Sequence, residues 1–126
     1  MTKQIIHTDK APKSLAGYSQ GVKAAGLVFV AGQGPFDPVT GDVVGTTIQE
    51  QTRQCLKNVQ AILEAAGSSL DNAVSATFIL GEPEDFAGFN EEWNKWFSKD
   101  PPARQAAKLA IHFKNMKISI ALIAEA

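Results

Sequence analysis

The sequence of 126 residues has a single cysteine, Cys55, and no long apolar run. One cysteine cannot form an intrachain disulfide or a cysteine-based zinc site, so both are excluded. No stretch approaches the roughly 18 consecutive apolar residues that a membrane-spanning helix needs, and no secretory signal pattern follows Met1. We therefore expect a cytoplasmic protein without a membrane partner.

The sequence also lacks an excess of charge of either sign. It has 12 Lys and Arg residues against 13 Asp and Glu residues, a formal net charge of −1. Nucleic-acid-binding proteins usually carry a basic surplus or a basic stripe interleaved with aromatic residues, and neither is visible, so nucleic acid is not an expected partner. His7 and His112 have no partner at metal-ligand spacing, so no metal site is predicted. The length and a hydrophobic content of 44% favour a single domain over residues 1–126.

Hydrophobic periodicity predicts an α+β order of strands, helix, strand, helix and strands. The predicted strands are 5–7, 21–25, 27–31, 73–80, 104–111 and 117–124, and the predicted helices are 47–66 and 83–97. Thr47 and Glu50 form a capping box, and Cys55 lies on the apolar stripe of the first helix, which indicates a core position. Two helices can cover one face of a sheet. Several strands are apolar on both faces, so we expect another copy of the chain to cover the second face.

The most informative stretch runs from Pro101 to Ala110. Two prolines end the preceding element, and Arg104 then opens an alanine-rich strand. Alternate residues of a strand share a face, so Ala106 follows Arg104 on its face and leaves room beside the guanidinium. A planar fork of donors next to a void suits a carboxylate or a phosphate. The residues alone leave a second interpretation open, in which Arg104 is a solvated strand-end residue or half of a salt bridge.

Three further positions are candidates for ligand contact. Tyr18, on a loop rich in breakers, is either a packing residue or a ligand contact, and its position alone favours packing. Gly32 ends a strand, where a ligand can come close to the backbone. Asn90 lies beside an aromatic stripe and is either a surface residue or a polar group aimed at a cleft. The stripe is interpreted as core and consists of Phe86, Phe89, Trp93, Trp96 and Phe97.

Ordered matches over nearly the whole chain make the sequence resemble the reactive intermediate deaminase family, also called YjgF/UK114 and labelled endoribonuclease L-PSP. The matching pieces are Ala11-Pro12, Tyr18-Ser19-Gln20, Gly32-Gln33, Asp37-Pro38-x-x-Gly41, Leu56-Lys57-Asn58, Ala65-Ala66-Gly67, Asp85-Phe86-x-x-x-Asn90 and Pro102-Ala103-Arg104. The resemblance implies a chorismate-mutase-like α+β fold, with one mixed sheet and two helices on one face. It also implies a homotrimer with a ligand cleft at each subunit interface, and no cofactor.

The same resemblance implies roles for single residues. Arg104 would grip the carboxylate of a 2-imino or enamine acid, and Tyr18 would point its hydroxyl at the ligand, which makes these two the candidate catalytic residues. Gly32, Asn90 and Ala106 complete the candidate substrate-binding set. In the implied reaction, water attacks the electrophilic C=N carbon and ammonia leaves, which yields a 2-oxo acid.

The last strand departs from the family pattern, which reads apolar-Glu-Ile-Glu-Ala. This chain has Ser119 and Ala121 at the two glutamate positions, and alanine can neither orient nor deprotonate a water. His112-Phe113 replaces the usual Leu-Pro, so His112 is another candidate for placing the water. Three functions stay open: an imine or enamine deaminase, a non-catalytic carboxylate-binding or regulatory trimer, and an endoribonuclease or translation inhibitor, which the net charge does not favour.

Overall fold

The computed structural model describes residues 2–111 and 113–126, and its elements follow the predicted order. The strands are β1 Gln4–Ile6, β2 Gly21–Ala24, β3 Leu27–Gln33, β4 Ala73–Leu80, β5 Ala103–Lys108 and β6 Ile118–Glu125, and the helices are α1 Ile48–Ala65 and α2 Phe86–Trp96. Short 3₁₀ turns at Leu70–Asn72 and Pro83–Asp85 precede β4 and α2. Within the described residues, no helix is long and apolar enough to cross a membrane.

The six strands form one mixed sheet in the order β1-β2-β3-β6-β4-β5. Only β4 and β5 run parallel, and every other neighbouring pair is antiparallel. Ala25 and Gly26 connect β2 to β3 with φ values of 54° and 77°. Two positive φ values in a two-residue loop are typical of a type I′ turn, so the hairpin predicted around Gly26 is confirmed. The sheet places β5 at one edge and β1 at the other.

The capping box predicted for α1 is confirmed. The Thr47 hydroxyl accepts a hydrogen bond from the Glu50 backbone N–H, and the Glu50 carboxylate accepts one from the Thr47 N–H, both at 3.1 Å. Cys55, farther along the helix, is fully buried, and burial raises the pKa of its thiol well above the usual value. Its assignment to the core is therefore also confirmed.

Both helices pack on one face of the sheet, and the hydrophobic core lies between the helices and the sheet. Strand residues on this face are almost inaccessible, and they include Val28, Val30, Ala76, Phe78, Ile118, Ile120 and Leu122. Their neighbours point to the opposite side, which we call the open face; it carries Val22, Phe29, Ala31, Thr77, Gln105, Ser119, Ala121 and Ile123. The open face is largely apolar, and Phe29 is 39% exposed there. That another copy of the chain covers it stays a prediction.

A buried carboxylate joins the two helices. Glu92 on α2 is 2% exposed and accepts two hydrogen bonds from Arg53 on α1, at 3.1 and 3.0 Å. The indole N–H of Trp96 donates to the same carboxylate at 2.9 Å. Burial acts to raise the pKa of Glu92, but the hydrogen bonds from Arg53 and Trp96 outweigh it and hold this pKa below the usual value. The pair fixes where α2 lies over the sheet.

Candidate functional site

Arg104 lies on the edge strand β5, on the face that carries the helices. The parallel register pairs Arg104 with Ala76 and Ala106 with Phe78, and both partners belong to the core face. The Arg104 side chain therefore points towards α2. Its guanidinium carbon lies near four ring centroids, at 4.9 Å from Phe78, 5.2 Å from Phe89, 5.4 Å from Trp93 and 5.9 Å from Phe86. Aromatic faces at these distances attract a cation.

Asn90 fixes the guanidinium from the side of the helix. Arg104 Nη1 donates a hydrogen bond to Asn90 Oδ1 at 2.8 Å. On α2, Asn90 follows Phe86 by four residues and precedes Trp93 by three, so all three project from one side of the helix. The aromatic stripe that was interpreted as core is therefore only partly core. Phe89, Trp93 and Phe97 are buried, whereas Phe86 is 44% exposed beside Arg104.

The charge of Arg104 is not neutralised within the described chain. Among residues 2–111 and 113–126, no carboxylate oxygen lies within 4.0 Å of the guanidinium, which argues against the salt-bridge interpretation. Partial burial lowers the pKa of Arg104, but a guanidinium keeps its proton at neutral pH. Arg104 and Asn90 border a cavity of about 390 Å³ with Trp93 and Pro102. A cation with free donors beside a void suits a small anion.

A second cavity, of about 640 Å³, lies beside Tyr18 and Gly32. Tyr18 is 48% exposed and lines it, so the tyrosine is not a core packing residue. Gly32 lies at the end of β3 on the open face. A Cβ at this position would lie only 3.1 Å from Ser119 Oγ, so glycine permits the two strands to keep this approach.

Two buried amides hold the walls of this second cavity. Gln20, 1% exposed, accepts from the Thr8 N–H at 2.8 Å and donates to the Pro12 carbonyl at 2.8 Å, which fixes the loop before Tyr18. Asn58 on α1 donates to the Gly34 and Phe36 carbonyls at 3.1 and 2.9 Å. Both amides lie in segments that match the family pattern, but their sequence context predicts no role for either. The available signal was a polar side chain at Asn58, beside the apolar stripe of α1.

The chain brings the predicted residues together in two sets. Arg104, Asn90 and Ala106 gather at the β5 edge, and Tyr18 and Gly32 gather at the other cavity; the two cavities share no lining residue. Strands β6 and β4 separate β3 from β5, so about 14 Å lies between them at the usual strand spacing. Gly32 and Arg104 also lie on opposite faces of the sheet. One chain therefore does not present both sets to one small ligand.

Two of the positions that depart from the family pattern, Ala121 and His112, concern the placing of the attacking water. Ala121 lies on the open face, paired with Thr77, whose hydroxyl accepts a hydrogen bond from Gln105 at 2.9 Å. Within a single chain, Ala121 is therefore not beside Arg104. His112 lies outside the described residues. Among those residues, no group of three His, Cys, Asp or Glu side chains is placed to hold a metal ion.

Comparison with known proteins gives consistent matches over the whole chain. A family model described as Endoribonuclease L-PSP matches residues 8–126. A RutC family protein of Saccharolobus solfataricus is 45% identical over 123 residues, covering 98% of both chains. The chloroplastic Reactive Intermediate Deaminase A of Arabidopsis thaliana is 39% identical over 122 residues, covering 97% of this chain and 65% of that protein. The crystal structure of E. coli TdcF with bound serine is 35% identical, with a TM-score of 0.90 and 98% of each chain covered.

Proposed function

Because the chain belongs to the Endoribonuclease L-PSP family, we propose that it hydrolyses reactive 2-imino acids, and their enamine forms, to 2-oxo acids and ammonia. One observation carries the proposal: Asn90 and aromatic rings hold the Arg104 guanidinium, and no described carboxylate neutralises it. A bidentate carboxylate is the partner that this fork fits best. Two relatives add support, since one is named as a deaminase and the other is solved with serine, an amino acid.

The candidate residues have different roles in this reaction. Arg104 binds the substrate carboxylate, and Tyr18 places its hydroxyl near the imine nitrogen. Water then adds to the C=N carbon, the C–N bond breaks, and the nitrogen leaves as ammonia with protons that come from the water. An imine carbon is already electrophilic, so binding and orientation supply the main acceleration and no cofactor is needed.

The proposed site is shared between subunits. In a single chain, Arg104 and Gly32 lie three strands apart on opposite faces of the sheet. A site that uses both therefore needs the β5 edge of one subunit and the Tyr18 cavity of the next. These are two different surfaces, and a head-to-tail contact between them forms a closed ring when the rotation from one subunit to the next closes. We propose a homotrimer, in which the apolar open faces contact one another.

Ala121 favours a second candidate function, a carboxylate-binding trimer without turnover. The family resemblance implies a glutamate that holds water where this chain has a methyl group. Carboxylate binding through Arg104 does not depend on that glutamate. Release of ammonia from a freshly generated imino acid distinguishes the two candidates. The endoribonuclease named in the family label is not proposed, because a net charge of −1 offers RNA little attraction.

The experiment that tests the proposal is removal of the Arg104 guanidinium. We expect Arg104→Ala to keep the fold and to lose about 2–5 kcal/mol of binding free energy for a 2-oxo acid, measured by calorimetry. Lys108→Ala is the matched control, because Lys108 is an exposed cation on the same face of β5, four residues away. The proposal is wrong if Arg104→Ala binds the acid as well as the unchanged protein does.

A further inference from the structure

The cavity beside Tyr18 and Gly32 is larger and more apolar than a three-carbon acid requires. Its volume of about 640 Å³ lies in the range of sites that take ligands of considerable size. Its apolar walls are Leu15, Phe36, Pro38, Val39, Phe113 and Met116. In the single chain, Leu15 is 73%, Val39 90% and Phe113 56% exposed. These side chains leave considerable apolar surface in contact with water.

The two aromatic walls contact each other before any ligand arrives. The rings of Phe36 and Phe113 meet edge to face, with centroids 5.9 Å apart and an interplanar angle of 78°. A Cβ on Gly34 would collide with the Phe36 ring and would lie 2.9 Å from Met116 Sδ, so glycine lets both side chains pack against the backbone. Asn58 fixes the Gly34 and Phe36 carbonyls from the opposite side. The aromatic wall is therefore preorganised, which reduces the ordering cost of binding.

The charges at the rim do not suit the carboxylate of the ligand. Backbone N–H groups of Thr40 and Val39 donate to Asp37 and hold its pKa below the usual value, so this residue is ionised at neutral pH. A second carboxylate, Asp9, also lines the cavity. Two cations offset them: Lys13 lines the cavity, and Lys114 Nζ donates to the Gly41 carbonyl at 3.4 Å and lies 5.9 Å from the Phe113 ring centroid. The cavity therefore has no excess of positive charge to attract a carboxylate, unlike the surroundings of Arg104. The ligand carboxylate therefore belongs at Arg104, and the cavity is left for its side chain.

We propose, on the premise of the function above, that the substrates carry a bulky apolar side chain, aromatic or branched aliphatic. The side chain lies against Phe36 and Phe113, while the carboxylate binds Arg104 of the neighbouring subunit. Burial of the apolar walls then supplies affinity that a methyl side chain cannot. The imino acids derived from aromatic and branched amino acids form this class.

Binding of 2-oxo acids, the stable products of the reaction, tests the preference without requiring turnover. The full chain is titrated by calorimetry with pyruvate, 4-methyl-2-oxopentanoate and phenylpyruvate. We expect phenylpyruvate to bind at least about tenfold more tightly than pyruvate. Phe113→Ala should remove most of this difference, because it lowers the affinity for phenylpyruvate far more than the affinity for pyruvate. Phe113 is more than half exposed, so the substitution does not threaten the core.

Ile111→Ala is the matched control, since Ile111 is 78% exposed in the same segment and does not line the cavity. It should change neither affinity. Equal binding of pyruvate and phenylpyruvate, lost in Arg104→Ala, overturns the side-chain preference and leaves the proposed function standing. A preference for phenylpyruvate that depends on Phe113 but survives in Arg104→Ala supports the preference and overturns the carboxylate role of Arg104. If no acid binds, both proposals are wrong.

Discussion

At the scale of single residues, Ala121 is the position at which we expect ligand binding and catalytic turnover to be affected differently. Its methyl group lies on the open face between Thr77 on β4 and the end of β3. The residue offers neither a proton acceptor nor a hydrogen-bond partner to a water. We therefore expect the protein to bind 2-oxo acids and to deaminate imino acids slowly compared with relatives that carry glutamate there.

The substitution Ala121→Glu tests this expectation. A general base typically contributes about 10²–10⁴-fold to a rate, so the variant should release ammonia faster from an imino acid generated by an amino-acid oxidase. Ala121→Gln is the control, because it has the same length and shape without a basic carboxylate. The expectation fails if the unchanged protein is already as fast as a glutamate-bearing relative, because another group must then place the water.

The residue scale also shows what the sequence could indicate about the site. Strand parity correctly predicted that Arg104 and Ala106 share a face. It could not show that α2 lies over that face, so the hydrogen bond between Arg104 and Asn90 was not predicted, and the family resemblance marked Asn90 only as a substrate-binding residue. The roles of Gln20 and Asn58 were harder to predict, because each side chain donates hydrogen bonds to backbone carbonyls of loops. The path of a loop leaves no periodic pattern in the sequence.

At the scale of elements, a buried carboxylate ties α2 to α1, in addition to the packing of Phe89 and Trp93 in the core. Glu92 connects α2 to Arg53 on α1, and Asn90 lies two residues earlier on the same helix. A shift of α2 would move Asn90 away from the Arg104 guanidinium. The ion pair between the helices thus supports the geometry of the candidate site, although neither of its residues lines a cavity there.

We expect Glu92→Gln to reduce the free energy of unfolding by about 1–3 kcal/mol at pH 7, the usual range for a buried hydrogen bond to a charged group. The pKa of Glu92 is lowered in the folded state, so its contribution is present above the unfolded pKa of about 4.3 and disappears as pH falls through the folded value. Urea unfolding of both proteins should therefore converge at low pH. Glu91→Gln, at an exposed neighbouring position, should match the unchanged protein throughout.

Element ends were predicted to within about three residues. The second helix was predicted from 83, but α2 begins at Phe86 after the 3₁₀ turn Pro83–Asp85, and β3 was predicted to end at 31 but continues to Gln33. The sequence predicted the strand 104–111, which was wrong at its end, because β5 stops at Lys108. As an edge strand it pairs only with β4, and their register ends at Leu80 and Lys108. Beyond it, the Leu109 N–H still donates to the Leu80 carbonyl at 3.0 Å, but the ladder with β4 does not continue through the next described residues. Local periodicity does not contain this information, since it depends on where another strand ends.

At the scale of the whole molecule, the open face leads to a prediction about assembly. We expect sedimentation equilibrium at micromolar concentration to give three times the chain mass of 13.5 kDa. Phe29→Lys places a charge in the centre of the open face and should dissociate the trimer, whereas Gln60→Lys on α1 should not. A monomer mass for the unchanged protein contradicts the prediction and removes the basis for a shared site.

The path of the chain through the sheet was only partly predictable. Apolar residues at both parities of β6 predicted a strand covered on both faces; within the chain one face of β6 is buried and the other is half-buried, so cover of the second face stays a prediction. Nothing in the sequence indicated that this last strand would lie between β3 and β4 while β5 took the edge. Strand order depends on which residues far apart in the chain pair with one another, and a single sequence does not record those pairings.

The burial of Cys55 has a consequence for the chemical durability of the molecule. The imines that we propose as substrates are electrophiles, and thiolates are the side chains that electrophiles modify most readily. The only thiol of this chain is inaccessible, and burial raises its pKa well above the usual value. The protein therefore exposes no thiol that the proposed substrates could modify.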